Sequence, residues 1–558
     1  MKIFKNWKIM FLVFVVLIYS LFFATIVKEK KRLPSPKWSR EIELNVQNNL
    51  SIVNAKKEKL TFTIPLENEN SILSIFVDNK VNILLTKADG NIILNKTISN
   101  LQLNNTSNIQ EIFSGKIING KLTLYFISNN KLYSNLLDLK SYELGSSILI
   151  DDFVKSAKYK NGFLAIEKLD SLNILDLNSN KNEYVYKNIS FSKLKEYDLF
   201  TDSNYIYIVY SGKFSDNNKY LKLSKINIKT KNIATAIIDK LPNSTFISSK
   251  YLSINVNKSK VNILEESEEF KTGKTTLKHY YLDKNLTNIN KSELTKLKYS
   301  IYPKLISSKG NDIDFIISIP TTMGATKIVY NLNIISLINE KIDNKTTLTK
   351  TNKKSISPTL FKLKNSKYIT WSDIDQNSRE LMLLSNNKDF IKTSRKLTTN
   401  EKIDSLITWI ITIFPTLLGT MIPIITIAGT TAIILVILSI KFLNYMEQNF
   451  KKTFNFSVLI HTSLKMLFLY NMIFLNKAIL NIKDQLPVFL TNFPLLVLTI
   501  FITTSLSYYL YKIKYTSEQH NEFWMSYMFF GITDLIMFSL LVIPYFYTYL
   551  ALPIFFNK

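Results

Sequence analysis

"NGKLTLYFISNNKLYSNLLDL", residues 119 to 139, sets a polar turn, an apolar run, a second polar turn and a second apolar run in immediate succession. Runs this short, bounded by Asn and Gly, read as strands joined by tight turns. "NGFLAIEKLDSLNILDLNSN" (161 to 180) and "SNYIYIVYSGKFSDNNKYLKLSKINIKTK" (203 to 231) follow the same plan, and related starts occur at 79, 248, 309 and 365. The successive offsets are 40, 42, 42, 45, 61 and 56 residues. A period of about 40 to 50 residues holding several short strands is what one blade of a β-propeller requires. The reading is therefore a β-propeller-like all-β domain over residues 41–400, with about seven blades and with six or eight as alternatives. Closure into a ring removes sheet edges that would otherwise invite aggregation. Glycine is scarce, only 12 in the chain, so asparagine pairs such as Asn129 with Asn130 and Asn217 with Asn218 are expected to make the left-handed turns. Two units also share a lead-in, "YPKLISSKG" at 302 and "SPTLFKLKNSK" at 357.

Outside this domain the pattern changes. Residues 1–8 form a short basic tail, and residues 9–27, "IMFLVFVVLIYSLFFATIV", are uncharged and long enough to cross a bilayer as a helix. Bulky residues continue up to the following charges, which favours an uncleaved signal anchor over a cleaved leader. A linker, 28–40, leads into the β domain. Residues 405 to 440 carry no charge; as one straight helix they would be about 54 Å long and overshoot the hydrocarbon core. Pro415, Gly419, Pro423 and Gly429 offer places to break it. The segment 405–442 is read as an interfacial lead-in and one span. Three more spans follow at 456–475, 487–511 and 523–550, five in all with six as the alternative. The Thr and Ser of "TIFITTSLSYYL" (499 to 510) are expected on helix contact faces. The lysine-bearing loop 441–455 suits the inner side of the membrane, which puts the large domain outside the cytoplasmic membrane of a multi-pass protein.

The formal charge of +27 resides mostly between residues 28 and 404, yet only Arg32, Arg40, Arg379 and Arg395 are arginines. Without guanidinium forks or a recognisable motif, nucleic acid is not an expected partner. Cysteine is absent, so disulfides and thiolate chemistry are excluded. No GxSxG elbow, phosphate loop, HExxH or GxGxxG motif occurs. The acidic loops "DLNSNKNE" (176 to 183) and "SDIDQNSRE" (372 to 380) space oxygen ligands alternately but lack the glycine of a calcium loop. His279 reads as a solvated strand residue, and Glu518, His520 and Glu522 as a hydrated loop end. No catalytic residue, metal or cofactor is assigned.

One feature departs from this plain picture. "HTSLKMLFLYNMIF" (461 to 474) places His461 and Lys465 inside an otherwise apolar span. The only acid in another predicted span is Asp534, at similar depth, one turn beyond Gly531. A Lys465–Asp534 ion pair is expected, with His461 on the same face and Gly531 letting the helices approach closely. The expected function is a membrane-anchored binding or scaffold protein whose partners are membrane lipid and either a protein or an anionic surface polymer. The alternative is an accessory or pathway component of a transport or export system, and after it a membrane-embedded enzyme acting on lipid-linked substrates.

Overall fold

The computed structural model describes residues 6–48, 60–77, 81–98, 109–178, 183–244, 246–323, 327–351, 353–375, 378–476, 479–480, 486–517 and 523–547. The chain divides into a β unit, Leu33–Thr321 with Val329–Lys396, and a helical unit, Met1–Arg32, Thr322–Ile328 and Leu397–Lys558.

The β unit is a seven-bladed β-propeller-like ring. Four-stranded antiparallel sheets span residues 61–98, 109–151, 156–190, 193–241 and 247–293, and form blades 1 to 5. Strands over 301–347 make blade 6 and strands over 354–385 contribute three to blade 7. Blade 7 takes its fourth strand from the other end of the domain: Ile42–Asn48 pairs antiparallel with Ser378–Ser385, Ile42 opposite Leu383 and Asn48 opposite Ser378. The backbones of blades 6 and 7 pair at a single parallel bridge, Tyr330 to Lys354. The first strands of successive blades meet in turn, and the first strand of blade 7 meets that of blade 1, so the ring is closed.

Burial explains the strand sequences. A propeller blade is covered on both faces by its neighbours, so its inner strands must be apolar throughout. The second strand of blade 4, Tyr205–Lys213, is buried from Ile206 to Gly212, whereas in the outermost strand of that blade, Ile233–Leu241, Ile238 alone is buried and the rest are half-buried or exposed. Each of the seven blade interfaces has its own apolar cluster. Leu73 and Leu124 mark that between blades 1 and 2, Ile166 and Tyr125 that between 2 and 3, and Phe390, Tyr368 and Phe76 the closing one between 7 and 1. The remaining four join blades 3 to 7 in sequence.

Turn chemistry follows from the shortage of glycine. Asn129 and Asn130, at φ 50° and 58°, close a two-residue hairpin between Ser128 and Lys131, the conformation of a type I′ turn. Asn217 is also left-handed, at φ 64°, while Asn218 is not. The two shared lead-ins are the inner strands of blades 6 and 7. Tyr302 and Ser357 have φ of 57° and 51°, each precedes a proline, and each sits in a register shift.

Two details of the repeat reading are corrected. The start at 79 falls before the third strand of blade 1 and the start at 248 inside the first strand of blade 5, whereas the others fall before second strands. All three strand types follow a polar turn, so the turns could not set the phase. Residues 161–202 consequently hold three strands of blade 3 and one of blade 4; blade 3 itself is 156–190. His279, expected in solvent, is fully buried in blade 5, because the third strand of a blade is covered on both faces.

After blade 7, helix α2 (Lys388–Ser394) is capped by Asn387, whose side chain accepts from the Asp389 and Phe390 amides, as N-cap residues do. It seats Phe390 in the closing cluster.

In the helical unit, α1 spans Trp7–Lys30. Helices α3 (Thr399–Ile411), α4 (Ile413–Gly419) and α5 (Gly429–Gln448) follow one another through junctions at Thr412 and Thr420 and a π-helical segment, Ile424–Ala428. The expected break does not occur at Pro415, Gly419 or Pro423: the backbone stays helical, with the amides of Thr412, Thr416, Thr420 and Ile424 each bonding the carbonyl four residues back, and the non-helical kink falls later, at Phe442 (φ −125°, ψ 23°) within α5. Helices α6 (Phe450–Tyr470), α7 (Phe493–Ser517) and α8 (Phe523–Phe546) complete the unit. Five helical stretches among the described residues are long and apolar enough to cross a membrane: 7–28, 401–440, 450–475, 493–515 and 523–546. Within α8 the apolar window is 72% buried, against 22–33% in the other four, so α8 is the central helix.

Candidate functional site

The central helix carries the charge. Asp534 on α8 is fully buried and faces α6, where Lys465 and His461 lie four residues apart and are fully buried as well. Lys465 Nζ donates to Asp534 Oδ1 at 2.9 Å and Oδ2 at 2.8 Å, and to the hydroxyls of Thr503 at 2.9 Å and Thr504 at 3.3 Å on α7. His461 Nε2 lies 3.1 Å from Asp534 Oδ2, and its Nδ1 lies 3.3 Å from the Tyr527 hydroxyl. A neutral imidazole with its proton on Nε2 satisfies both, donating to the carboxylate and accepting from the phenol. The Lys465 ammonium also sits 4.7 Å from the Phe538 ring centre. All three ammonium hydrogens have acceptors and both carboxylate oxygens have donors. This is the condition under which a buried ion pair offsets the large cost of removing two charges from water.

The structure thus brings Lys465, Asp534 and His461 together. Their sequence reading missed Tyr527 and the specific roles of Thr503 and Thr504, which lie within the Thr/Ser-rich stretch of α7. Thr503, Thr504 and Ser507 are buried there, while Ser505 is exposed. Gly531 has a smaller part than its position suggests. A Cβ there would stand 3.6 Å from His461 Cε1, an ordinary contact, so glycine does not set the α6–α8 spacing. Glu518, His520 and Glu522 lie outside the described residues.

The propeller has a polar centre of its own. A cavity of about 640 Å³ is lined from the inner strands by Glu111, Lys158, Glu196, Tyr251, Glu266 and Tyr302, among others. Several of its charges are engaged: Lys158 reaches Glu196 Oε1 at 2.6 Å, Lys250 reaches Glu268 at 3.0 Å, and Glu266 accepts from the Tyr302 amide at 2.7 Å. Burial opposes the Lys158 charge, but Glu196 and Asp198 outweigh it and hold the group above the ordinary lysine value. Nearby Lys304 is pushed down to about 8 by burial and by the neighbouring Lys160. Of the two acidic loops, Asp373 is committed to the fold, accepting from Ser355 at 2.6 Å and from the Trp371 indole at 2.8 Å. Among the described residues no group of three or more His, Asp and Glu side chains is placed to hold a metal.

No family model matches the chain, and no curated protein matches it either. Solved structures similar to it include the N-terminal domain of Nup159, 11% identical, with a TM-score of 0.38 over 62% of this chain and 95% of that one. The polysaccharide lyase Uly1 is 7% identical, with a TM-score of 0.37 over 57% and 88%. The WD40 domain of SCAP from fission yeast is 10% identical, with a TM-score of 0.33 over 63% and 99%. The propeller assignment stands on the sheet order and the closed ring of inner strands.

Proposed function

We propose that the chain is a membrane-anchored binding or scaffold protein that presents its propeller outside the cytoplasmic membrane. The supporting observation is the union, in one chain, of a closed seven-bladed ring with five apolar helices whose outward residues are themselves apolar, among them Leu12, Leu17, Ile425, Ile437 and Ile440. Such a surface is stable against lipid and unstable against water. Domain 41–400 is the presenting part, and the spans at 9–27, 405–442, 456–475, 487–511 and 523–550 are anchor and lateral contact surface. Its partners are membrane lipid and a protein or an anionic surface polymer. Purification of the full chain in mild detergent, with identification of what remains bound after stringent washing, tests the scaffold role. A stoichiometric protein or polymer is expected; a clean, unaccompanied chain at native expression would contradict it.

A second reading is a pathway component of a transport or export system. The buried group of His461, Lys465, Asp534, Thr503, Thr504 and Tyr527 favours it, since converging ionisable groups inside a span are functional candidates by default. The neutralising geometry of the Lys465–Asp534 pair weighs toward helix packing. An enzyme acting on lipid-linked substrates is the third reading; the sequence carries no GxSxG, HExxH, phosphate-loop or GxGxxG motif that would favour it.

A further inference from the structure

Blade 4 sets three lysines abreast. Lys193, Lys213 and Lys219 begin or end consecutive strands and are direct cross-strand neighbours, Lys193 opposite Lys213 and Lys213 opposite Lys219. Like charges directly opposite on a sheet destabilise it. Among the described residues no carboxylate lies within ion-pair distance of Lys193, Lys195 or Lys213, and Lys219 donates to the Ser244 carbonyl at 2.7 Å. A fourth lysine is turned to the same place by a bulge: Lys195 is the residue skipped where Leu194 pairs with Gly212 and Glu196 with Ser211. Gly212 permits this close approach, since a Cβ there would meet the Lys193 carbonyl at 2.6 Å. Burial, and then the charges of Lys193, Lys219, Lys250 and Lys155, hold the Lys195 ammonium below its ordinary value.

These lysines line a cleft of about 610 Å³ between blades 4 and 5, a size suited to a small ligand. Ser211 also lines it; this residue is fully buried and its hydroxyl has no hydrogen-bond partner. Buried polar atoms are nearly always satisfied, so an orphaned hydroxyl beside uncompensated cations marks a place for an oxyanion. The facing wall, from blade 5, is of mixed charge: Glu269 stands opposite Lys274 and Glu293 opposite Lys278 across the strands, and Lys278 lies 4.0 Å from Glu265. Its Glu265 is fully occupied by Ser249 at 2.5 Å and by the Tyr280 hydroxyl at 3.0 Å. Glu269 and Glu293 stand nearer the rim, with Glu269 accepting from Thr272, and carboxylates so placed accept hydrogen bonds from ligand hydroxyls.

We propose that this cleft binds a phosphorylated polyol, its phosphate held by Lys193, Lys195, Lys213 and Ser211 and its hydroxyls by Glu269 and Glu293. The site rests on reading the propeller as a binding domain and gives that domain a ligand class, supplied as a free polyol phosphate or as a lipid headgroup.

The test uses the full chain in phosphatidylcholine nanodiscs, with calorimetric titration of glycerol 3-phosphate and inorganic phosphate, and with flotation on phosphatidylglycerol vesicles. Glycerol 3-phosphate or the vesicles should bind. Lys195→Gln and Ser211→Ala should each weaken that binding about tenfold, in keeping with loss of one charge-assisted contact, while Lys131→Gln on blade 2 leaves it unchanged. Binding of the vesicles without the free ester supports the site and assigns the headgroup as source. Absence of both, or equal weakening by Lys131→Gln, overturns the site, and inorganic phosphate binding as tightly as the ester overturns the polyol. Because no partner protein takes part, failure of the scaffold reading would leave this result unaffected.

Discussion

Lys465 and Asp534, separated by 69 residues in sequence, meet at 2.8 Å in the middle of the helical unit, with neither side chain exposed. Removing one partner leaves a buried charge uncompensated, which costs about 3–5 kcal/mol. Lys465→Met or Asp534→Leu alone should therefore lower the thermal midpoint of the protein in detergent sharply. The double substitution should recover a good part of the loss, since an apolar pair of similar volume has no charge to solvate. Additive losses would show that the two residues do not depend on each other. If the double variant retains full activity, the pair is a packing device and no proton route passes through it.

Glycine substitutions separate two kinds of close approach. Gly531→Ala should be neutral or stabilise by up to about 1 kcal/mol, because alanine favours helix and space exists beside His461. Gly212→Ala should destabilise by about 1–3 kcal/mol, because its methyl would press on the Lys193 backbone. Thermal unfolding of both variants checks this; a reversed order would contradict the packing described for either site.

His279 gives the propeller a pH dependence of defined sign. Burial presses the imidazole down to about 4, with Glu340 acting weakly in the other direction, and Nε2 lies 3.0 Å from the Asn262 side-chain oxygen. The folded state holds the ring neutral while the unfolded chain protonates near pH 6.5. Between about pH 6.5 and 4 the unfolded state binds the extra proton, so stability falls as pH falls, by up to about 1.4 kcal/mol per unit. His279→Gln should flatten that part of a stability profile measured from pH 7.5 to 4.5. An unchanged slope would mean that the ring is solvated after all.

The ring should fail as a whole. Each blade shares its apolar clusters with two neighbours, so removing residues 156–190 takes away half of two interfaces. The product should aggregate or unfold. A monomeric, protease-resistant product would show instead that blades are independent modules.

Much of this architecture could be read in the chain before folding, and the limits have physical causes. Blade number was accessible because runs such as "YIYIVY" must be apolar on both faces and recur between Asn-rich turns. Strand phase was not, because a turn before a second strand and one before a third look alike. The closing strand Ile42–Asn48 was invisible for a different reason: its partner lies more than 300 residues away and nothing local marks the pairing. The Lys465–Asp534 contact was legible because charges in apolar spans are so few that each acid and base has little choice. Tyr527, Thr503 and Thr504 were hidden among many uncharged polar residues on helices. The lysine cleft of blade 4 was hidden too, since 70 basic residues mask any cluster that register alone assembles.

The central claim, a propeller held outside the membrane by apolar helices, has a direct test because the chain contains no cysteine. Single cysteines at Leu169, which is 87% exposed on blade 3, and at Lys452, exposed near the start of α6, would be the only thiols present. With a membrane-impermeant maleimide on intact, wall-stripped cells, Leu169→Cys should label at once and Lys452→Cys only after lysis. Labelling of Lys452→Cys in intact cells, with Leu169→Cys protected until lysis, would contradict the orientation; labelling of both before lysis would contradict the span between them.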